Sequence, residues 1–227
     1  MTGQIHFTVE QVEKLLAMQD QLNSYIHPEW KKQNFDWNFA IIDECREIKE
    51  HLGWKWWKEG YQQGLTEQNR KQVQLEVIDI LHFVLSIAEE SAGKDKASTV
   101  QRWLNATYLS YQTLEDTVRA MIVTSAEESM DIFEVWHDLA YAVGLTTEQV
   151  IETYTQKFVL NKFRQDHGYK DGSYVKEWQD PASGQLGEDN EVLELLVNEL
   201  KAEGLNPADE QLLYTCLGTL YNHRLNK

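Results

Sequence analysis

The stretch from Val73 to Leu85 restricts the fold more than any other. It is apolar nearly all round, which predicts a helix buried on most sides. Yet Glu76 and Asp79 lie inside it, three residues apart and so on one helix face. An isolated buried charge is too costly to keep, so such carboxylates must be neutralised, paired or bound to a metal. A second pair with the same spacing, Glu44 and Glu47, falls on a preceding helix predicted from about Trp37 to Leu52. Between the pairs lies a turn from Gly53 to Lys58, in which Trp54, Trp56 and Trp57 alternate with Lys55 and Lys58.

The rest of the chain reads as further helices. Thr8 is the expected N-cap of a first helix ending near Pro28, and residues 29–36 read as a polar linker. Gly53 is placed as the C-cap of the second helix. A loop with a polar run from Gly60 leads into a third helix, Glu67 to Glu90. The pattern weakens from Lys94 to Thr113, where Trp103, Leu104, Tyr108 and Leu109 are candidates for a short helix. Leu114 to Val143 is one bent helix or two. Thr147 opens a helix running to about Lys162, and Phe163 to Gly187 is expected to be loop. Two helices follow, Glu191 to Ala202 and about Ala208 to His223, the last with Pro207 at its start. No strand is predicted. The fold class is all-α: a compact helical bundle core over residues 1–165, with a smaller helical C-terminal appendage over 166–227 in the same functional unit.

Eight Trp and ten Tyr rule out a disordered chain. The formal net charge of −16 argues against a general nucleic-acid binder, which needs a basic surface. A nucleotide site needs only a few local cations. Cys45 and Cys216 lack metal or redox spacing and read as free buried thiols in a reducing compartment. No secretory signal and no apolar run of membrane-spanning length is evident, so a soluble cytoplasmic protein without a membrane partner is expected.

Each candidate site has a plain alternative. The acidic pairs read either as helix surface, with Asp79 bridged to His82, or as four hard oxygen donors suited to Mg²⁺. Zinc would want more nitrogen or sulfur. In the tryptophan turn, Trp54 reads as core; the other rings offer a face for a nucleobase, and Lys55 and Lys58 offer charge to phosphates. Lys157, Asn161 and Arg164 share a helix face and precede Lys170 and two glycines. They are either a solvated basic helix end or an anion site with a mobile lid. Gln19 and Asn23, four apart, read alone as polar surface.

Taken together, Asn34 to Trp37, Asp43 to Glu47, Gly53 to Lys58 and Glu76 to Phe83 closely resemble the dimeric dUTPases, a branch of the all-α nucleoside triphosphate pyrophosphatases. The later run Leu160 to Tyr174, followed by Gly187 to Asn190, is similar to that family too. The resemblance covers roughly residues 10–90 and 145–195. It implies a homodimer that hydrolyses dUTP and dUDP to dUMP with Mg²⁺. It implies that Glu44, Glu47, Glu76 and Asp79 hold the metal, that Gln19 and Asn23 read the uracil edge, and that Trp56 stacks on the base. Phe83 would lie beneath the deoxyribose. Lys157, Asn161, Arg164 and Lys170, with Tyr174, would close over the phosphates. Glu44 is assigned as acceptor of the attacking water's proton. A dCTP pyrophosphatase or a broad MazG-like enzyme would carry the same acidic pairs with different base-reading residues. A helical scaffold would lack turnover. A di-iron bundle would want Glu-x-x-His on two helices, a pair this chain does not carry.

Overall fold

The computed structural model describes residues 5–59, 61, 63–107, 111, 113–179 and 186–225. It divides into two compact units, residues 1–151 and 152–227. Among the described residues the chain is helical apart from one small hairpin.

The first unit holds α1 (Val9–Ile26), α2 (Trp37–His51), α3 (Glu67–Ser91), α4 (Lys96–Asn105), α5 (Leu114–Ala126), α6 (Ile132–Ala142) and the start of α7 (Thr147–Asp166). Thr8 caps α1 as expected, in a reciprocal box with Gln11. Thr66 and Asn69 form the same box at the start of α3. Asn69 Nδ2 also donates to the carbonyls of His51 and Gly64, at 2.9 and 2.7 Å. One side chain thus ties the end of α2 to the start of α3 and pins the base of the tryptophan turn. Gly53, at φ +71°, makes the left-handed turn that ends α2.

α3 lies at the centre, packed against α1, α2 and α6, with Val73, Val77, Ile80, Leu81 and Val84 fully buried. α2 packs against it with Ile41, Cys45 and Ile48 buried, and α6 packs against it with Trp136 buried, while Phe133 of α6 meets Trp103 of α4. The Trp136 indole donates to the Val77 carbonyl at 2.9 Å, so this large core ring leaves no buried donor unpaired.

Several expectations change here. Residues 29–36 are not simply a polar linker. A 3-10 turn, Trp30–Lys32, buries the Trp30 ring, and its indole donates to Asp20. The weak stretch after Lys94 contains a helix, α4; the proposed Tyr108 and Leu109 lie outside the described residues, as do Gly60 and residues 180–185 of the expected loops. The Leu114–Val143 run is two helices. Thr146, not Thr147, makes the side-chain cap of α7, through Gln149; the Thr147 hydroxyl instead accepts from the His6 backbone. Cys45 is buried as expected, whereas Cys216 is half-buried.

The second unit holds the rest of α7, strands β1 (Glu177–Gln179) and β2 (Leu186–Glu188), α8 (Asp189–Ala202) and α9 (Glu210–Leu225). The strands pair antiparallel, with Glu177 opposite Glu188, and correct the expectation that no strand is present. They are three residues long, too short for alternation to register in sequence. α7 runs one turn beyond Lys162, so the expected loop starts later, after Asp166. The unit's core is aromatic: Phe163, Trp178 and Tyr221 are buried with ring centroids 5.2 to 5.7 Å apart, and Tyr174 stacks on Tyr221. Gly168 is favoured in the turn after α7 because its φ of +89° strains any residue with a side chain, and a Cβ there would also fall 1.9 Å from Ser173 Oγ. No helix among the described residues is long and apolar enough to cross a membrane.

Candidate active site

α2 and α3 pack side by side and bring acidic residues from both helices together. Glu44, Glu47 and Glu76 each offer one oxygen within 4.8 Å of the others. Glu76 is buried, at 7% exposure, while Glu44 and Glu47 are half-buried. Asp79, one turn after Glu76 and half-buried, is not in this tight group. Arg46, which lies between the two α2 carboxylates in sequence, pairs with Asp43 and Glu47 at 2.9 Å.

His51 completes the α2 face, seven residues after Glu44. Its Nε2 lies 3.2 Å from Glu76 Oε1. That bond raises the His51 pKa, against the opposing pull of partial burial, with Glu47 and Glu50 adding to the rise. Three hard oxygen donors with a histidine at one edge fit a hard divalent cation. A cation bound there would also offset the mutual repulsion of the carboxylates.

One turn further along, α1 and α3 share a buried polar network. Gln19 Nε2 donates to Asn23 Oδ1 at 2.8 Å and lies 3.1 Å from Ser86 Oγ. Asn23 Nδ2 donates to the same hydroxyl at 2.9 Å, and His82 Nδ1 lies 2.8 Å from Gln19 Oε1. Gln19, Asn23, His82 and Ser86 are all buried. Gln19 and Asn23 are therefore not polar surface. Phe83, half-buried, stacks on Trp37 with centroids 6.3 Å apart.

In the tryptophan turn, Trp56 is 72% exposed and meets Trp57 edge-on. Trp54 is not core: it is 40% exposed, with the Lys49 ammonium 4.5 Å above its ring. Lys55 is paired with Glu50 and Lys58 is exposed.

The second unit contains Lys157, Asn161, Arg164, Lys170 and Tyr174. Arg164 Nε and Nη2 reach the two oxygens of Asp189 at 2.8 Å each. Its Nη1 donates to Asn161, and Nη2 also to Asn190. Lys157 is buried and donates to Asn190 at 3.1 Å. The Tyr174 hydroxyl donates to Asp189 at 2.7 Å. Asp189 opens α8, where the helix dipole favours a negative charge. Burial alone would push its carboxyl up, but the Arg164 bonds, with Tyr174, hold it below the ordinary value. Lys170 stands exposed on the turn after α7.

Sequence reasoning missed His51 as a partner of Glu76, Ser86 as the hub of the amide network, and Asp189 as the anchor of Arg164. The available signals were helical spacing for His51 from Glu44 and for Ser86 from His82. Asp189 lay inside the quoted run Gly187–Asn190, without a hint of its partner.

A sequence profile of the dUTPase family matches residues 11–169, which takes in α1 to α7 with both acidic pairs and the amide network. No curated protein matches the chain. The profile spans well over half of the sequence, and so the chain, all-α and acidic at the face shared by α2 and α3, belongs to the dUTPase family and is a dUTP diphosphatase.

Proposed function

We propose that this dUTPase depends on Mg²⁺, held by Glu44, Glu47 and Glu76 with Asp79 nearby. In this reading it converts dUTP to dUMP and pyrophosphate, and dUDP to dUMP and phosphate, as a homodimer. It thereby limits uracil incorporation into DNA. The observation that carries the reading is the meeting of three carboxylates, one of them buried, beside a buried amide network.

Bound magnesium would supply charge to phosphate oxygens and to the leaving group. Glu44, half-buried, takes the proton of the attacking water. Glu76 is screened from solvent, so its charge acts in a low dielectric where it counts for more. Gln19 and Asn23 present donors and acceptors to the base edge. A base with the wrong pattern would leave buried polar groups unpaired. Trp56 offers an open ring face for stacking, Phe83 packs under the sugar, and Lys55 and Lys58 supply charge to the phosphates. The family resemblance adds Lys170 as a further source of charge for the phosphates. Lys157, Asn161 and Arg164, with Tyr174, hold the surroundings of Lys170 through Asp189 and Asn190. The dimer is carried over from the family resemblance; Phe39, at 72% exposure on α2, is an apolar side chain a partner copy would cover.

Turnover of dUTP, dUDP, dCTP, dTTP and UTP, each with and without Mg²⁺, tests the reading. We expect dUTP and dUDP to be cleaved only with the metal. Preference for dCTP, or equal turnover in a chelator, would overturn it. Sedimentation tests the dimer separately, a monomer at micromolar concentration counting against it.

A further inference from the structure

We infer that Ser86 is the positioning residue that selects uracil over cytosine, because it fixes which way the carboxamides of Gln19 and Asn23 face. The inference rests on the reading above, that these amides meet the base edge.

The argument is a count of donors and acceptors. Ser86 Oγ lies 2.9 Å from the His82 carbonyl, four residues back on α3. A carbonyl only accepts, so the single hydroxyl proton is spent there. The Ser86 oxygen can then only accept from the two amides, at 3.1 Å from Gln19 and 2.9 Å from Asn23. Both amide nitrogens must therefore face Ser86. Asn23 Oδ1 is turned to Gln19 Nε2, and Gln19 Oε1 to His82 Nδ1, which must carry its proton. A backbone carbonyl of α3 thus dictates, through one hydroxyl, the polarity of an asparagine on α1.

Each amide within this network has one orientation. Rotating Asn23 by half a turn would set NH₂ against NH₂ at Gln19, and oxygen against oxygen at Ser86. Rotating both amides would sacrifice the Ser86–His82 bond and reverse the His82 tautomer. All four residues are buried, so solvent cannot compensate for these mismatches.

The orientation decides the base. Once its bonds to Gln19 and Ser86 are made, the Asn23 carboxamide retains one N–H and one lone pair on Oδ1. Uracil offers N3–H beside carbonyl oxygens, and cytosine offers a bare N3 beside an amino group. A carboxamide held one way complements the first, and the same group rotated complements the second. Freeing the rotation removes the discrimination without removing any group that touches the base.

The test is the ratio of kcat/KM for dUTP to that for dCTP in the wild type, Ser86→Ala and Ser86→Thr. Ser86→Ala deletes the hub, and the ratio should fall by roughly tenfold or more. Ser86→Thr keeps the hydroxyl and should hold the wild-type ratio. An unchanged ratio in folded Ser86→Ala overturns the inference, whereas a wild type that prefers dCTP overturns the substrate reading instead. Should Ser86→Ala not fold, ¹⁵N NMR of the wild-type histidines decides. His82 is expected to carry a proton on Nδ1, and a bare Nδ1 overturns the inference.

Discussion

Arg164 and Asp189 meet through two parallel hydrogen bonds of 2.8 Å, with the Asp189 carboxylate completely buried and Arg164 only 11% exposed. Four of the five guanidinium N–H groups are given to Asp189, Asn161 and Asn190. Breaking a buried pair from one side strands the other charge, at about 3–5 kcal/mol. Arg164→Ala should therefore lower stability by that order in urea unfolding followed by circular dichroism. Loss of activity with a change below about 1 kcal/mol, the size of an exposed ion pair, would mean that the guanidinium serves phosphate and not Asp189.

The same pair sets a pH dependence. The Asp189 carboxyl is pushed up by burial but held, on balance, below its ordinary value by Arg164. A folded pKa below the unfolded one stabilises the protein fully above the unfolded value, about 3.9. That contribution disappears as pH falls through the folded pKa. Stability measured between pH 6 and pH 2 should thus decline more steeply below about pH 4 in the wild type than in Asp189→Asn. Parallel curves would remove Asp189 as a contributor.

These relationships differ in how far the sequence exposes them. The α3 run and its two acidic residues were legible because helical period and burial are both written in local pattern. Glu44 and Glu47 followed from spacing on α2. His51 and Ser86 were not legible as site residues: each matters through an atom of another residue that only packing brings within 3.2 Å. Trp54 was misread because a large ring is usually core, whereas here Lys49 lies over the ring, Trp57 meets it edge-on and the residue stays 40% exposed. The hairpin escaped because three-residue strands carry no period. Arg164 and Asp189 stood in quoted motifs, but their pairing joins residues 25 apart on two different helices.

Trp56 offers a clean separation of binding from folding. At 72% exposure it contributes little to the core. Trp56→Ala should shift stability by no more than about 0.5 kcal/mol. Stacking of a base on an aromatic ring is worth about 1–3 kcal/mol, so KM for dUTP should rise by roughly 5- to 150-fold. An unchanged KM would move the stacking role to another ring of the turn.

Lys170 stands exposed on the turn braced by Gly168. Lys170→Ala should weaken binding of a non-hydrolysable dUTP analogue by about tenfold, the loss of one charge-assisted contact, while weakening dUMP binding far less. Titration calorimetry with both ligands checks this. Equal losses for the two would show that the ammonium does not meet the outer phosphates, and a large fall in Tm would show a structural role.

Glu76 decides whether the acidic cluster is a metal centre or only a tolerated group of charges. With oxygens of Glu44 and Glu47 within 4.8 Å, its charge is opposed by its neighbours and relieved by His51 at 3.2 Å. Glu76→Gln keeps the shape and removes the charge, so the metal-free variant should retain wild-type helicity and match or exceed wild-type stability. A ligand that binds only the folded state stabilises by about 2.7 kcal/mol at a hundred times its Kd. Magnesium should therefore raise the wild-type Tm and leave that of Glu76→Gln unchanged, with activity lost in the variant. Both readouts are needed. Lost activity with an intact magnesium-dependent rise in Tm would place the ion elsewhere, and unfolding of the metal-free variant would make Glu76, through His51, a structural residue first.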